Sequence, residues 1–293
     1  NCSRVIPGSR QSHERLKMSN HFEIADAILF EIRDRMAQFV WPIATPLTCS
    51  KTDKRGFALG TGNYARIQER TVIVTNSHVI EEAEGGHIGH LPGPSDEYVG
   101  CGPNFLTSPW PIDLGIAEIG GIGPSSERGV LREDQLCERF SPVDGELLFF
   151  LGFPGSTAQR HEAVTELNTR YSWFGQLQTV GIPMLTTVAN VSANDLPHFD
   201  PEKHHAVHFP SKAKKHLDGP EEDIPNPKGM SGSLLWDTRY LACKLAGEEW
   251  SPDRARVCGL VWAAHQKPEV IVATAIEHVV PQLMGMVGEL ARL

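Results

Sequence analysis

Three residue types that together perform nucleophilic chemistry occur in the order His78, Asp113, Ser231, each within a run that suits a reactive position. The most specific run is Asn226-Pro227-Lys228-Gly229-Met230-Ser231-Gly232-Ser233-Leu234-Leu235-Trp236, a serine flanked by glycines before an apolar segment. Acyl transfer needs such a turn: it exposes Oγ and lets successive backbone N–H groups point at one oxyanion. Gly229 and Ser231 would supply those donors. In Val72-Ile73-Val74-Thr75-Asn76-Ser77-His78-Val79 a β-rich run ends in a small polar turn that presents a histidine. In Ile112-Asp113-Leu114-Gly115-Ile116-Ala117 a carboxylate precedes an apolar strand. A buried carboxylate needs a partner, and an imidazole N–H is the partner that fixes a histidine's tautomer. Each run also has a plainer reading, as a satisfied histidine, an Asp-capped turn or a Gly-Ser turn. Their order and setting carry the argument.

The elements around these residues are short. Apolar residues from Phe22 to Phe39 recur at three- and four-residue steps, which predicts an amphipathic helix, and Pro42 and Pro46 stop it. Short β-like runs follow at 56–67, 71–75, 114–119, 146–151, 178–188 and 256–264, broken by Gly, Pro and Asn. That density predicts antiparallel barrels or a sandwich rather than alternating βα units. Residues 276–293 read as a closing helix with Pro281 near its first turn. The polar, histidine-rich stretch 190–226 reads as a long surface loop. Residues 1–17 are pattern-free and read as a leader, with Met18 as the natural start.

Taken together, the motifs resemble those of the trypsin-like, chymotrypsin-fold serine peptidases, in their bacterial-type intracellular form. Thr75-Asn76-Ser77-His78-Val79 resembles the histidine motif, Asp113-Leu114-Gly115-Ile116-Ala117 the aspartate strand, and Gly229-Met230-Ser231-Gly232-Ser233 the serine motif. The order His, Asp, Ser matches that family and differs from subtilisins and α/β-hydrolases, whose elbow also wants a glycine where Ser233 stands. Gly60-Thr61-Gly62, Leu151-Gly152-Phe153-Pro154-Gly155 and Val257-Cys258-Gly259-Leu260-Val261 are similar to further family strands and turns. The resemblance spans about residues 45 to 285. It implies a mainly β fold of two antiparallel six-stranded barrels with a helix at each end. The segments would be a helix over 18–44, a first barrel over 45–135 carrying His78 and Asp113, a second over 136–275 carrying Ser231 and the loop near 190–226, and a helix over 276–293. It further implies a Ser-His-Asp triad hydrolysing peptide bonds through an acyl-enzyme. Pro225, Met230, Trp262 and Ala263 fall at positions that line the substrate cleft. Met230 replaces the aspartate that receives a new N-terminus in secreted members, so activation by N-terminal cleavage is not expected. A non-catalytic binding module that keeps the cleft, and an esterase acting on small substrates, are the alternatives.

Composition narrows the partners. With 40% apolar and 22% charged residues the 293-residue chain reads as an ordinary globular protein. Its net charge of -9 argues against a nucleic-acid surface built on phosphate contacts. No run approaches the roughly 18 apolar residues of a membrane span. The six scattered cysteines form no C-x-x-C pair, so a cytoplasmic setting with reduced thiols is the expectation. His204, His205 and His208 with Asp200 and Glu202 match no zinc spacing, and neither metal nor cofactor is expected. A polypeptide substrate is the one partner expected; no nucleic acid and no membrane are.

Overall fold

The computed structural model describes residues 24–52, 55–93, 98–120, 122–126, 128–160, 177–178 and 180–293. The expected leader over 1–17 lies outside them. The first sheet comprises β1 (Ala44–Thr52), β2 (Arg55–Ile67), β3 (Arg70–Thr75), β4 (His87–His90), β5 (Val99–Gly100), β6 (Phe105–Ser108), β7 (Leu114–Glu118) and β8 (Leu131–Arg132). Its order is β5-β4-β1-β2-β3-β7-β6, antiparallel throughout, with β8 added in parallel to β2. The sheet curls on itself at residues 99–108. There the Cys101 N–H donates to Ile88 O at one sheet end, and the Gly102 N–H donates to Glu118 O at the other, both at 2.8 Å.

Five short pieces follow: β9 (Leu148–Gly152), β10 (Gln159–Arg160), β11 (Leu177–Gln178), β12 (Ile182–Thr186) and β13 (His204–His208). After them come β14 (Lys212–Lys214), β15 (Glu221–Asp223), β16 (Leu234–Asp237), β17 (Arg256–Gln266) and β18 (Glu269–Ala275). The second sheet has six strands in the order β12-β9-β16-β17-β18-β13. Its ends meet: Val188, just past β12, pairs with Val207 of β13, and the Ala189 N–H donates to Ala206 O at 2.8 Å. This joint shortens the exposed strand edge at which further chains could pair.

The surface loop expected over 190–226 is corrected by this closure. The segment contributes β13, the strand that shuts the second barrel, and the β14–β15 hairpin. Its histidines hid the pattern, because His204, Ala206 and His208 alternate with His205 and Val207 and so lack the polar–apolar contrast by which a strand is read.

Helix α1 (Asp26–Val40) buries Ile32, Met36 and Val40, and it packs beside β9 and β12. Phe39 meets Trp236 of β16 edge-on, with ring centroids 5.7 Å apart. Two short helices, α2 (Ser77–Glu81) and α3 (Tyr240–Leu245), follow β3 and β16. The closing helix α4 (Ile276–Leu290) touches β6 and β7 of the first barrel and β17 and β18 of the second. It buries Ile276, Val279, Leu283, Met286, Val287 and Leu290 between them. At about 1.5–3 kcal/mol per buried apolar side chain, that face fixes how the barrels lie against one another. Pro281 sits inside α4 rather than at its start, so the helix forgoes one internal hydrogen bond there and is held by this packing. Among the described residues no helix is long and apolar enough to cross a membrane.

Candidate active site

His78 and Asp113 meet where β3 and β7 lie side by side. Thr75 of β3 pairs with Gly115 of β7, so the turn leaving one strand faces the residue entering the other. The Asp113 carboxylate takes two hydrogen bonds from His78: the backbone N–H donates to Oδ1 at 3.0 Å and Nδ1 to Oδ2 at 2.6 Å. The backbone of Asp113 is engaged as well, its carbonyl accepting from Asn76 Nδ2 at 2.8 Å and from the Ser77 N–H at 3.3 Å. Asp113 stands at φ +53°, in the left-handed region that Asp tolerates better than most residues. It is 7% exposed. The His78 side chain is 37% exposed, and with Nδ1 bound to the carboxylate its Nε2 is the nitrogen left for chemistry.

Burial works to lower the His78 pKa, but the hydrogen bond and charge of Asp113, assisted by Glu82 and Glu81, outweigh it and raise the value above that of an ordinary histidine. An imidazole so placed is held in one tautomer and is a stronger base.

Ser231 comes from the other barrel, in the turn before β16. Thr61, the middle residue of Gly60-Thr61-Gly62 on β2, ties that turn to the first barrel through its N–H and its hydroxyl. Its N–H donates to Ser231 O at 2.8 Å, and its Oγ1 donates to Gly229 O and accepts from the Phe153 N–H, both at 3.0 Å. Its carbonyl accepts from Thr75 Oγ1 at 2.8 Å, and Thr75 stands three residues before His78. Asn63 Nδ2 donates to Gly232 O at 2.6 Å. In the sequence, the one polar side chain between two glycines in Gly60-Thr61-Gly62 is the signal of this backbone node.

The turn itself directs two donors outward. Lys228 O accepts from the Gly155 N–H at 2.7 Å, so the Gly229 N–H of the same planar peptide points the opposite way. Met230 O accepts from Ser233 Oγ at 2.6 Å and from the Ser233 N–H at 3.1 Å, which likewise turns the Ser231 N–H away. Among the described residues neither N–H has a protein acceptor. Gly229 and Gly232 adopt φ +101° and +91°, backbone that side-chain-bearing residues rarely adopt.

Ser231 Oγ does not reach His78 in this structure; it donates to the Trp262 carbonyl at 3.2 Å. Trp262 is free to accept because it is the extra residue of a β-bulge in β17: Val261 pairs with Ala273 and Ala263 with Val272, leaving Trp262 between them. Trp262 and Ala263 are half-buried beside Ser231, as is Pro225 on the approach to the turn. Met230 is 1% exposed and lies in the core of the second barrel, so its side chain braces the turn from beneath rather than lining a cleft. Ser233 is fully buried.

Two curled antiparallel barrels, with His78 and Asp113 on the first and Ser231 on the turn where the second is bonded to it, make up the trypsin-like serine-protease fold. No family model matches the chain, and no curated protein matches it. Among solved structures it is similar to the Rv3671c protease from M. tuberculosis in its active form, at 15% identity and TM-score 0.47, over 96% of this chain and 93% of that one. It is similar also to the MamO protease domain from Magnetospirillum magneticum, at 10% identity and TM-score 0.41, over 83% of this chain and 96% of that one. At such scores the likeness adds no weight of its own, and the fold rests on the strand order and closure described above.

Proposed function

We propose that the protein is a serine endopeptidase in which Ser231 is the nucleophile, His78 the general base and Asp113 the residue that orients the base. The observation that carries this reading is the two-point grip of the Asp113 carboxylate on His78, which leaves Nε2 as the available base beside a turn built for a reactive serine.

The chemistry follows from those positions. The Ser231 side chain turns from the Trp262 carbonyl toward His78, and Nε2 takes the Oγ proton as Oγ bonds to the peptide carbonyl carbon. The N–H groups of Gly229 and Ser231 hold the negative oxygen of the tetrahedral intermediate. Its collapse breaks the C–N bond, and the departing amine takes the proton from His78. Water, deprotonated by His78, then attacks the ester carbonyl, and His78 gives that proton to Ser231 Oγ as the ester bond breaks. Pro225, Trp262 and Ala263 line the approach for the polypeptide. A cytoplasmic setting, where thiols stay reduced, accompanies this reading.

Cleavage profiling on a peptide library, with the wild-type protein beside Ser231→Ala, tests it: Ser231-dependent peptide hydrolysis is expected, and ester turnover alone would mark a small-molecule hydrolase. One observation favours a non-catalytic binding module, namely that the Ser231 hydroxyl donates to Trp262 rather than to His78. Peptide binding without cleavage by either protein would establish that reading instead.

A further inference from the structure

The second barrel grips the chain that leads into Asp113. Pro111 and Ile112 lie against β13 and β18, where His204 and Thr274 are direct partners in the strand register. His204 Nδ1 accepts from the Asp200 N–H at 3.0 Å, so the ring proton sits on Nε2, which donates to Pro111 O at 3.1 Å. Thr274 Oγ1 donates to Ile112 O at 3.0 Å. With Asn76 and Ser77 bound to Asp113 O, three consecutive carbonyls are each held by donors, two of them from the far barrel. Because each peptide is planar, fixing successive carbonyls fixes the intervening dihedrals, including the left-handed φ of Asp113. His204 is 2% exposed and Thr274 fully buried.

The same imidazole also reaches the serine's side of the site. Trp110, His204 and Trp262 form a mutual aromatic triangle with ring centroids 4.9–5.2 Å apart. Trp262 is the residue whose carbonyl holds Ser231 Oγ.

We propose that His204 and Thr274 are positioning residues: by clamping the Pro111 and Ile112 carbonyls they aim the Asp113 carboxylate at His78, so that the acid of the first barrel is set by the second. A buried hydroxyl or imidazole serving only to satisfy a sheet would have no cause to bind two successive carbonyls immediately ahead of the one carboxylate that holds His78. The consequence for turnover rests on the peptidase reading above; the effect on His78 does not.

The experiment follows the His78 Cε1–H resonance by NMR through a pH titration, assigned by its loss in His78→Gln, in the full chain and in Thr274→Val, Thr274→Ser, His204→Phe and His204→Gln. Asp113 raises the His78 pKa, whereas the other carboxylates acting on it, Glu82 and Glu81, belong to its own helix region and are untouched. Loosening Asp113 therefore moves the midpoint down. Thr274→Val and His204→Phe should lower it by roughly half a unit or more and cut kcat roughly 10- to 100-fold with KM within about twofold. Thr274→Ser and His204→Gln, which restore a donor, should recover both. A folded Thr274→Val protein with an unmoved His78 midpoint overturns the proposal, as does a failure of that near-isosteric variant to fold, which would assign the hydroxyl a purely structural role. A shifted midpoint in a protein that shows no Ser231-dependent hydrolysis leaves the clamp standing and sinks the peptidase reading alone.

Discussion

Asp113 holds His78 by both carboxylate oxygens, one on the backbone N–H at 3.0 Å and one on Nδ1 at 2.6 Å. The His78 imidazole is thereby fixed in place and in tautomer, and its pKa is raised. A general base works only when neutral, so kcat/KM should fall as pH drops through the raised His78 value, with the acid limb centred above the ordinary imidazole midpoint of about 6.5. Asp113→Asn should move that limb to lower pH and slow turnover by on the order of 10⁴ if the wrong tautomer results, the magnitude known for the corresponding serine-protease change. A wild-type limb centred below about 6.5 would contradict the assignment.

Ser231 should be the one serine that reacts with a fluorophosphonate probe. A lone hydroxyl is a poor nucleophile near neutral pH, and rapid labelling requires a base within reach and donors for the oxyanion. Ser231→Ala should abolish labelling and His78→Ala should nearly do so. Ser233, buried and bonded to Met230 O, should stay unlabelled in every variant. Peptide mapping of the modified residue decides between the two serines.

Gly232→Ala should be strongly destabilising. A Cβ at Gly232 would stand 2.0 Å from Thr61 O and 2.5 Å from Thr75 Oγ1, and φ +91° is a conformation alanine resists. Thr61 cannot withdraw without releasing Ser231 O and Gly229 O. A loss of about 3 kcal/mol or more in urea unfolding, together with loss of probe labelling, is the expected outcome. Unchanged stability would mean that this junction is looser than its hydrogen bonds imply.

Asp237, at the end of β16, is a carboxylate whose burial, with Glu146 nearby, pushes its pKa up to about 6 despite a hydrogen bond from the Arg239 N–H. An unfolded aspartate titrates near 3.9, so the folded state binds the extra proton between the two values. The ionised group therefore costs stability above about pH 6, and the cost disappears as pH falls toward 4. Asp237→Asn keeps the acceptor for Arg239 and removes the charge. It should raise the melting temperature at pH 8, by up to about 3 kcal/mol in stability, and do little near pH 4. Thermal melts of both proteins across that range settle the sign.

A chelator should leave both melting temperature and labelling nearly unchanged. Among the described residues no three His, Cys, Asp or Glu groups are placed to share an ion, and His204 spends both ring nitrogens on protein partners. A structural zinc would contribute on the order of 10 kcal/mol, so its removal would be unmistakable.

Local order was readable because it is written at the scale of a few residues. The run Val72-Ile73-Val74-Thr75 is β3, the run from Leu114 is β7, and the apolar spacing after Ile276 is α4. Side-chain alternation and helical periodicity depend only on neighbours in the chain. His78, Asp113 and Ser231 could likewise be picked out by residue type and by the glycines and strands beside them. What tertiary structure decided is which buried donor meets which carbonyl. That Thr61 ties Ser231 to the strand beside His78, that His204 lies in a barrel strand rather than a loop, and that Thr274 holds the carbonyl before Asp113 all depend on contacts between residues far apart in the chain. Such contacts exist only once α4 and the two closed sheets have fixed the barrels against each other, because a hydrogen bond needs its partners within about 3 Å and no local pattern encodes that distance.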